Sequence, residues 1–241
     1  MKKLLVLLTV MIFAAGAFAQ NNSEEITEER KVDTFNKIDA SGVAKVEIVI
    51  GAPQQVTVSG KADIVSLIST EVSGGTLHIG FKSEKRKIKF KDNCCDFTVK
   101  ICVEDLTQLI TSGAVMAEIQ QKAVLKNFKI IASGATNIKI EDLSVEGSLS
   151  ASASGASQIE INGENFKDVN IMISGASNTK FSGVSKTLDL HASGASSITI
   201  SGQADEVYAQ ASGASSIRSK NFTANKKSFN SSGAASIYLV E

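Results

Sequence analysis

Apolar and polar residues alternate along most of this chain, and the alternation recurs with a fixed phase. Two residues before a glycine stand Ala132, Ala153, Ile173, Ala192 and Ala211. Two further back stand Ile130, Ala151, Ile171, Leu190 and Ala209, and two further again Phe128, Leu149, Val169, Leu188 and Val207. A period of two marks a strand with one buried face. Beyond the glycine, Ile138, Ile159, Ile198, Ile217 and Ile237 sit four residues on, and Ile140, Ile161, Phe181, Ile200 and Leu239 six on. These positions predict a second half-buried strand in every unit.

The phase is set by Ser-Gly-Ala, which begins at Ser112, Ser133, Ser154, Ser174, Ser193, Ser212 and Ser232, at intervals of 21, 21, 20, 19, 19 and 20 residues. Ser41-Gly42-Val43 reads as an earlier, degenerate copy. One such unit cannot bury its own apolar face, but stacked units can. The predicted fold is therefore all-β: a right-handed parallel β-helix, the hand following from the rule for parallel strand connections. Each coil of about 20 residues adds about 4.8 Å along the axis. Gly113, Gly134, Gly155, Gly175, Gly194, Gly213 and Gly233 make the sharp corners, and the Ala after each is expected to fit the crowded inside. Asp142, Gly163, Gly183, Gly202 and Asn221, eight residues after the corner glycine, mark a second turn where a left-handed backbone is expected. The variable stretch between that turn and the next strand has room for a short third strand or loop. An antiparallel barrel would need hairpin turns every eight to twelve residues rather than a repeat of near-constant length.

Upstream the repeat is weaker. Lys2 and Lys3, the apolar run Leu4–Phe13 and Ala17-Phe18-Ala19 before Gln20 have the layout of a secretory signal peptide, residues 1–19. Residues 20–33 are polar and read as a flexible leader. Residues 34–110 hold strand-like segments at Val43–Ile50, Gln55–Ser59, Thr76–Phe81, Lys87–Phe90 and Phe97–Val103, with a turn at Ser73-Gly74-Gly75. Asp63–Thr70 suits a short helix or a strand. This part is expected to form irregular first coils or a sheet over the open end, because an exposed sheet edge invites aggregation. Residues 111–241 carry the regular coils, continuous with it.

Composition narrows the function. With Lys2 and Lys3 removed, 23 of the 25 basic side chains remain against 25 acidic ones, a net charge of −2. That balance does not favour nucleic acid, which calls for a basic excess. No second long apolar run follows, so no transmembrane segment is expected in the mature chain. Cys94, Cys95 and Cys102 pass into an oxidising compartment, where Cys94 or Cys95 is expected to pair with Cys102 and leave one thiol free.

The motifs also carry a family resemblance. They are Phe35, Ile38, Gly42 and Val46, then Val56-x-Val58-x-Gly60, Gly74-Gly75-Thr76-Leu77-x-Ile79, the strand Phe97–Val103, the Asp105–Ala114 entry and the serial Ser-Gly-Ala-Ser-x-Ile coils. From Phe35 to Tyr238 the chain resembles the head GIN domain family, labelled putative auto-transporter adhesins. The resemblance implies a β-helical, export-targeted envelope protein and brings no catalytic motif. The chain shows no auto-transporter barrel, whose membrane strands would need many further residues.

Two constellations remain as candidate chemistry. Glu141, Asp142, Glu146, Glu160, Glu164 and Asp168 are the carboxylates a polysaccharide-cleaving solenoid would use, with Glu141, Glu160 and Lys180 expected to stack on one outward face. Asp189 beside His191 reads as a surface pair. The second constellation is a polar ladder, Ser133, Ser154, Ser174, Ser193 and Ser212 together with Asn137, Gln158 and Asn178, which stiffens corners or docks a ligand. The sequence thus points to an exported, non-catalytic envelope protein, structural or adhesin-like, resident in the periplasm or at the cell surface. It needs no metal or other cofactor. Its expected partners are an envelope protein, a glycan or a second copy met through the C-terminal edge strand. A polysaccharide-binding or polysaccharide-degrading β-helix is the alternative.

Overall fold

A computed structural model describes residues 24–82 and 97–239. The predicted signal peptide, the Lys87–Phe90 segment, Cys94 and Cys95 lie outside the described residues.

The chain is a parallel β-solenoid. Its coils are long strands that bend at corners: β10 (Asn137–Ala153), β11 (Gln158–Ile173), β12 (Asn178–Ala192), β13 (Ser197–Ala211) and β14 (Ser216–Ser231), each paired in parallel with the next. The preceding coil separates into β7 (Gln108–Ile119), β8 (Ala123–Leu125) and β9 (Phe128–Gly134). These three pair with Asn137–Ile140, Leu143–Val145 and Leu149–Ala153 of β10, so a coil has three faces. The variable stretch is thus the third strand. We call the three faces a, b and c in chain order after the Ser-Gly-Ala corner.

Register puts like on like. Ile138, Ile159, Thr179, Ile198, Ile217 and Ile237 form one inward column on face a. Phe128, Leu149, Val169, Leu188 and Val207 form another on face c. Nearly all of these side chains are buried in one continuous core. Each buried aliphatic side chain contributes about 1.5–3 kcal/mol over its exposed state, and stacking is what makes the burial available.

The corner glycines form a column of their own, Gly42 included, since Gly42 stands in register with Gly113 and Gly113 with Gly134. Their φ angles lie between 72° and 89°. A Cβ added at Gly175 would stand 2.7 Å from the carbonyl oxygen of Gly155 in the coil before. Both the backbone hand and the close approach exclude a larger residue.

The corner differs from expectation in one respect. Ala135, Ala156, Ala176, Ala195 and Ala214 are exposed, and the residues after them, Thr136, Ser157, Ser177, Ser196 and Ser215, are buried. The period-two alternation runs straight through the glycine and assigns the inside to the second residue beyond it. The buried hydroxyls tie the corner together: Ser215 Oγ donates to the carbonyls of Ser212 at 2.8 Å and Ala192 at 3.0 Å and accepts from the Ser212 amide at 3.1 Å. Ser157 and Ser196 likewise donate to Ser154 and Ser193.

The second turn also departs from the prediction. Of its five residues only Gly202 and Asn221 have left-handed backbone, at φ 105° and 54°. At Gly163 and Gly183 the need is for space. A Cβ at Gly163 would strike the Leu143 carbonyl, and one at Gly183 would come within 2.7 Å of the Phe166 ring.

At the N-terminal end β2 (Lys37–Ile50) is already a regular coil strand paired with β7, so regular stacking begins before residue 111. The irregular part is an insertion after it. β3 (Gln55–Lys61) runs antiparallel to β6 (Phe97–Val103), which pairs in parallel with β2. Asp63–Thr70 divides between a short helix, α1 (Ala62–Val65), and the start of β4 (Ile68–Ser73), which forms a hairpin with β5 (Thr76–Phe81) through Gly74-Gly75. These strands are the end-covering sheet. Residues 20–33, read as a flexible leader, include β1 (Glu25–Arg30), antiparallel to β3. Pairing with β3 supplies the order that composition does not. The last full coil is β14, followed by β15 (Ser236–Tyr238), which pairs with Ser216–Arg218.

Candidate functional site

The two predicted polar rows both stack, but on opposite sides of the corner. Asn137, Gln158, Asn178, Ser197 and Ser216 are in register on face a. Ser154, Ser174, Ser193, Ser212 and Ser232 stand where face c turns into the corner, and they form one wall of a groove of about 500 Å³. The other wall is a second outward row on face c: Ile131, Ser152, Met172, His191, Gln210 and Asn230. The backbone of the inward residues between the rows is the floor. Six coils contribute, so the groove runs along the axis for five strand spacings, about 24 Å. Ser133, which donates to the Thr111 carbonyl at 3.4 Å, continues the serine row outside the groove.

The groove walls offer hydroxyls, two carboxamides, one imidazole and one thioether, and none of the lining side chains is a carboxylate, a lysine or an arginine. Met172 is 45% exposed, a thioether presented to solvent in a polar row. Period-two alternation marks this second row as outward. That it faces the serine row across a groove follows from the coil's cross-section, which no linear pattern displays.

The carboxylates stand elsewhere and apart. Glu160 is on face a and half-buried, Asp168 is on face c, and Glu141, Asp142, Glu146 and Glu164 are exposed. Glu141 does not stack with Glu160 and Lys180; the residue in that register is Lys139. The row on face a therefore reads Lys100, Glu47, Glu118, Lys139, Glu160, Lys180, Thr199 and Arg218. Lys45–Glu47 at 2.8 Å, Lys100–Glu47 at 3.4 Å, Lys139–Glu141 at 2.7 Å and Lys180–Glu160 at 3.7 Å neutralise most of it. The hydrogen bond from Lys45 holds the Glu47 carboxyl below its ordinary range, and the same bond raises Lys45. Hydrogen bonds from Lys226 and Tyr208 lower Glu206 in the same way. Asp189 and His191 do pair, at 3.0 Å, on the strand leading into the groove wall.

Among the described residues no cluster of His, Cys, Asp and Glu could hold a metal ion. Cys102 is half-buried and forms no disulfide among the described residues, and its two expected partners fall outside them. No described helix is long and apolar enough to cross a membrane.

Comparison with known proteins places this geometry. A putative adhesin from Bacteroides fragilis NCTC 9343 superposes with a TM-score of 0.74 at 22% identity, covering 91% of this chain and 98% of that one. A putative adhesin from Parabacteroides distasonis ATCC 8503 gives 0.61 at 18% identity, covering 90% of this chain and 98% of its own. One from Parabacteroides merdae ATCC 43184 gives 0.60 at 16%, covering 91% and 98%. These likenesses establish the shared solenoid. No curated protein matches the chain. The family model described as "Putative auto-transporter adhesin, head GIN domain" matches residues 34–184 and 152–240, nearly the whole of the described structure, and the chain belongs to that family.

Proposed function

We propose that this chain is an exported, non-catalytic binding protein of the cell envelope, adhesin-like, which holds an extended target along its axial groove. The observation that carries the reading is the groove itself: six coils long, open, and lined by uncharged hydrogen-bonding groups repeated at the coil spacing. A row of hydroxyls and carboxamides at intervals of about 4.8 Å suits a polymer that presents its own hydroxyls or amides in series. A neutral glycan, or an extended segment of an envelope protein, has that character. An acidic polysaccharide does not gain from this groove, because no cation lines it. The signal-peptide layout at residues 1–19 and the family's adhesin label support an envelope location.

Binding of immobilised neutral and acidic glycans tests the reading, with Ser174→Tyr and Ser193→Tyr as variants that fill the groove. Retention of neutral glycans that both variants lose supports it. Binding that both variants keep places the interaction on another face. Brief protease treatment of intact cells tests the location: digestion of this protein beside an intact periplasmic control supports the surface, and protection until the outer envelope is opened rules adhesion out. Release of reducing ends from polysaccharide that stops with Glu160→Gln or Glu164→Gln would replace binding by catalysis.

A further inference from the structure

We infer that the outer shoulder of the groove wall holds a sugar subsite, where one neutral pyranose of the ligand stacks on the Tyr208 ring and hydrogen-bonds to Asp189 and Gln210. It rests on the groove reading, and it selects a neutral glycan over a protein segment as the target.

Tyr208 is the one Phe, Tyr or Trp at an outward position of face c from β9 to β14, and it is 45% exposed. Gln210 of the groove wall lies two residues further along the same strand, on the same face and about 7 Å away. In the coil before, Asp189 stands beside Tyr208 in register. The ring is not free to turn. Its hydroxyl donates to Glu206 Oε2 at 2.7 Å, and Glu206 pairs with Lys226 of the next coil. Asp189 is held in its turn, by His191 at 3.0 Å and by the Asn170 amide at 3.4 Å, and its side chain stays 40% exposed. A ring and acceptors already fixed in place lose little freedom when a ligand arrives.

The chemistry of these groups selects the occupant. A tyrosine presents a broad apolar face with a polar tip. A pyranose presents the complement, a face of C–H groups ringed by hydroxyls. Stacked on the ring, it directs those hydroxyls sideways, where the Asp189 carboxylate accepts and the Gln210 carboxamide both donates and accepts. An apolar platform with a few convergent polar groups is the general pattern of a small-ligand site. Among the described residues Asp189 has no lysine or arginine partner, so an anionic sugar is disfavoured beside it. Spacing separates glycan from protein. Coils repeat at about 4.8 Å, close to the length of one pyranose, so successive sugars of an extended glycan stay in step with the coils. An extended polypeptide advances about 3.4 Å per residue and drifts out of step.

The chain has two tyrosines and no tryptophan, so with Tyr238→Phe in place its tyrosine fluorescence reports Tyr208 alone. Titration with neutral hexasaccharides of β-1,4-linked glucose, mannose and xylose, beside an acidic hexagalacturonate, tests the subsite. The expected result is a saturable fluorescence change with at least one neutral hexasaccharide and none with the acidic one. By calorimetry Tyr208→Ala and Asp189→Ala should each weaken that binding about tenfold or more, while Tyr208→Phe keeps the ring and stays within about threefold. Unchanged thermal melts show that the variants fold. Ser193→Tyr, which fills the groove, separates the subsite from the groove. Neutral-glycan binding lost by Ser193→Tyr but kept by Tyr208→Ala overturns the subsite and leaves the groove reading standing. Binding kept by Ser193→Tyr but lost by Tyr208→Ala supports the subsite and removes the groove. No response to any neutral hexasaccharide overturns the inference and leaves the groove to an extended protein segment. Tighter binding of hexagalacturonate overturns it as well.

Discussion

The corner column makes a graded prediction that separates two explanations of its glycines. At Gly155, Gly175, Gly194, Gly213 and Gly233 the φ angles are 75°, 72°, 73°, 73° and 73°. Left-handed backbone therefore costs an alanine the same at all five, about 1–2 kcal/mol, less the 0.4–1 kcal/mol by which alanine restricts the unfolded chain. The space is not the same. An added Cβ would stand 2.7, 2.7, 2.9, 3.0 and 3.1 Å from the carbonyl oxygen of the preceding corner. Reaching an ordinary 3.4 Å contact moves the neighbour by about 0.7 Å at Gly175 and about 0.3 Å at Gly233. Neighbouring coils resist that movement with the cost of overpacking, typically about 1–3 kcal/mol. Gly175→Ala should lose about 2–4 kcal/mol and Gly233→Ala about 1 kcal/mol. Thermal and denaturant melts followed by circular dichroism read this directly, with about 2–4 °C per kcal/mol for a domain of this size. Because end coils fray, the decisive pair is interior: Gly155→Ala must cost more than Gly213→Ala. Equal losses along the column would show that φ alone selects glycine, and the close approach of coils would be no part of the cause. The exposed control Ala176→Ser should stay within about 0.5 kcal/mol of the wild type.

Other residues make narrower predictions. Thr179 sits fully buried in the isoleucine column, between Ile159 and Ile198, with no partner for its hydroxyl, so Thr179→Val should stabilise the fold by about 1–2 kcal/mol in the same melts. Ser215→Ala removes three hydrogen bonds of 2.8–3.1 Å and should cost about 1–2 kcal/mol, whereas Ser177→Ala removes a 3.4 Å contact to the Gly155 carbonyl and should cost less. Glu47 has its carboxyl lowered by Lys45, so its contribution is present above the ordinary carboxylate range, near pH 4.5, and is lost as pH falls through its folded value. Melting temperatures of wild type and Glu47→Gln should therefore differ at neutral pH and converge in acid; a gap that persists in acid would refute the ion pair as its source.

The repeat was legible because stacking makes each coil sample the same environment. Seven Ser-Gly-Ala copies fix the coil length, the inward columns and the corner, and register then follows. Even the buried Ser157 and Ser196 could be read, since alternation carried through the glycine assigns them inward and sets Ala156 and Ala195 outside. What the sequence hides is whatever depends on a partner far along the chain. β1 has one apolar residue, Ile26, and its order comes from β3, which begins 25 residues after β1 ends. The charge row on face a depends on register as well: Glu141 lies two residues beyond the position that stacks on Glu160, and coils of 19 to 21 residues blur that offset.

The groove joins these two kinds of position. Its serine wall belongs to the corner, beside the glycine column that draws the backbones together, and repeats one residue in every coil. The opposite wall has no such duty. Ile131, Ser152, Met172, His191, Gln210 and Asn230 occupy one structural position in six coils, yet they are six different residues. The neighbouring inward columns, under the same register, hold almost nothing but Ala, Ile, Leu and Val before the last coil. A row free of packing demands and varied at every step is where a solenoid can encode a particular target without disturbing its fold. Exchanging His191, Gln210 and Asn230 for serine should therefore change which ligand is held and leave the melting temperature within a few degrees, while the corner glycines a few ångströms away tolerate no such exchange.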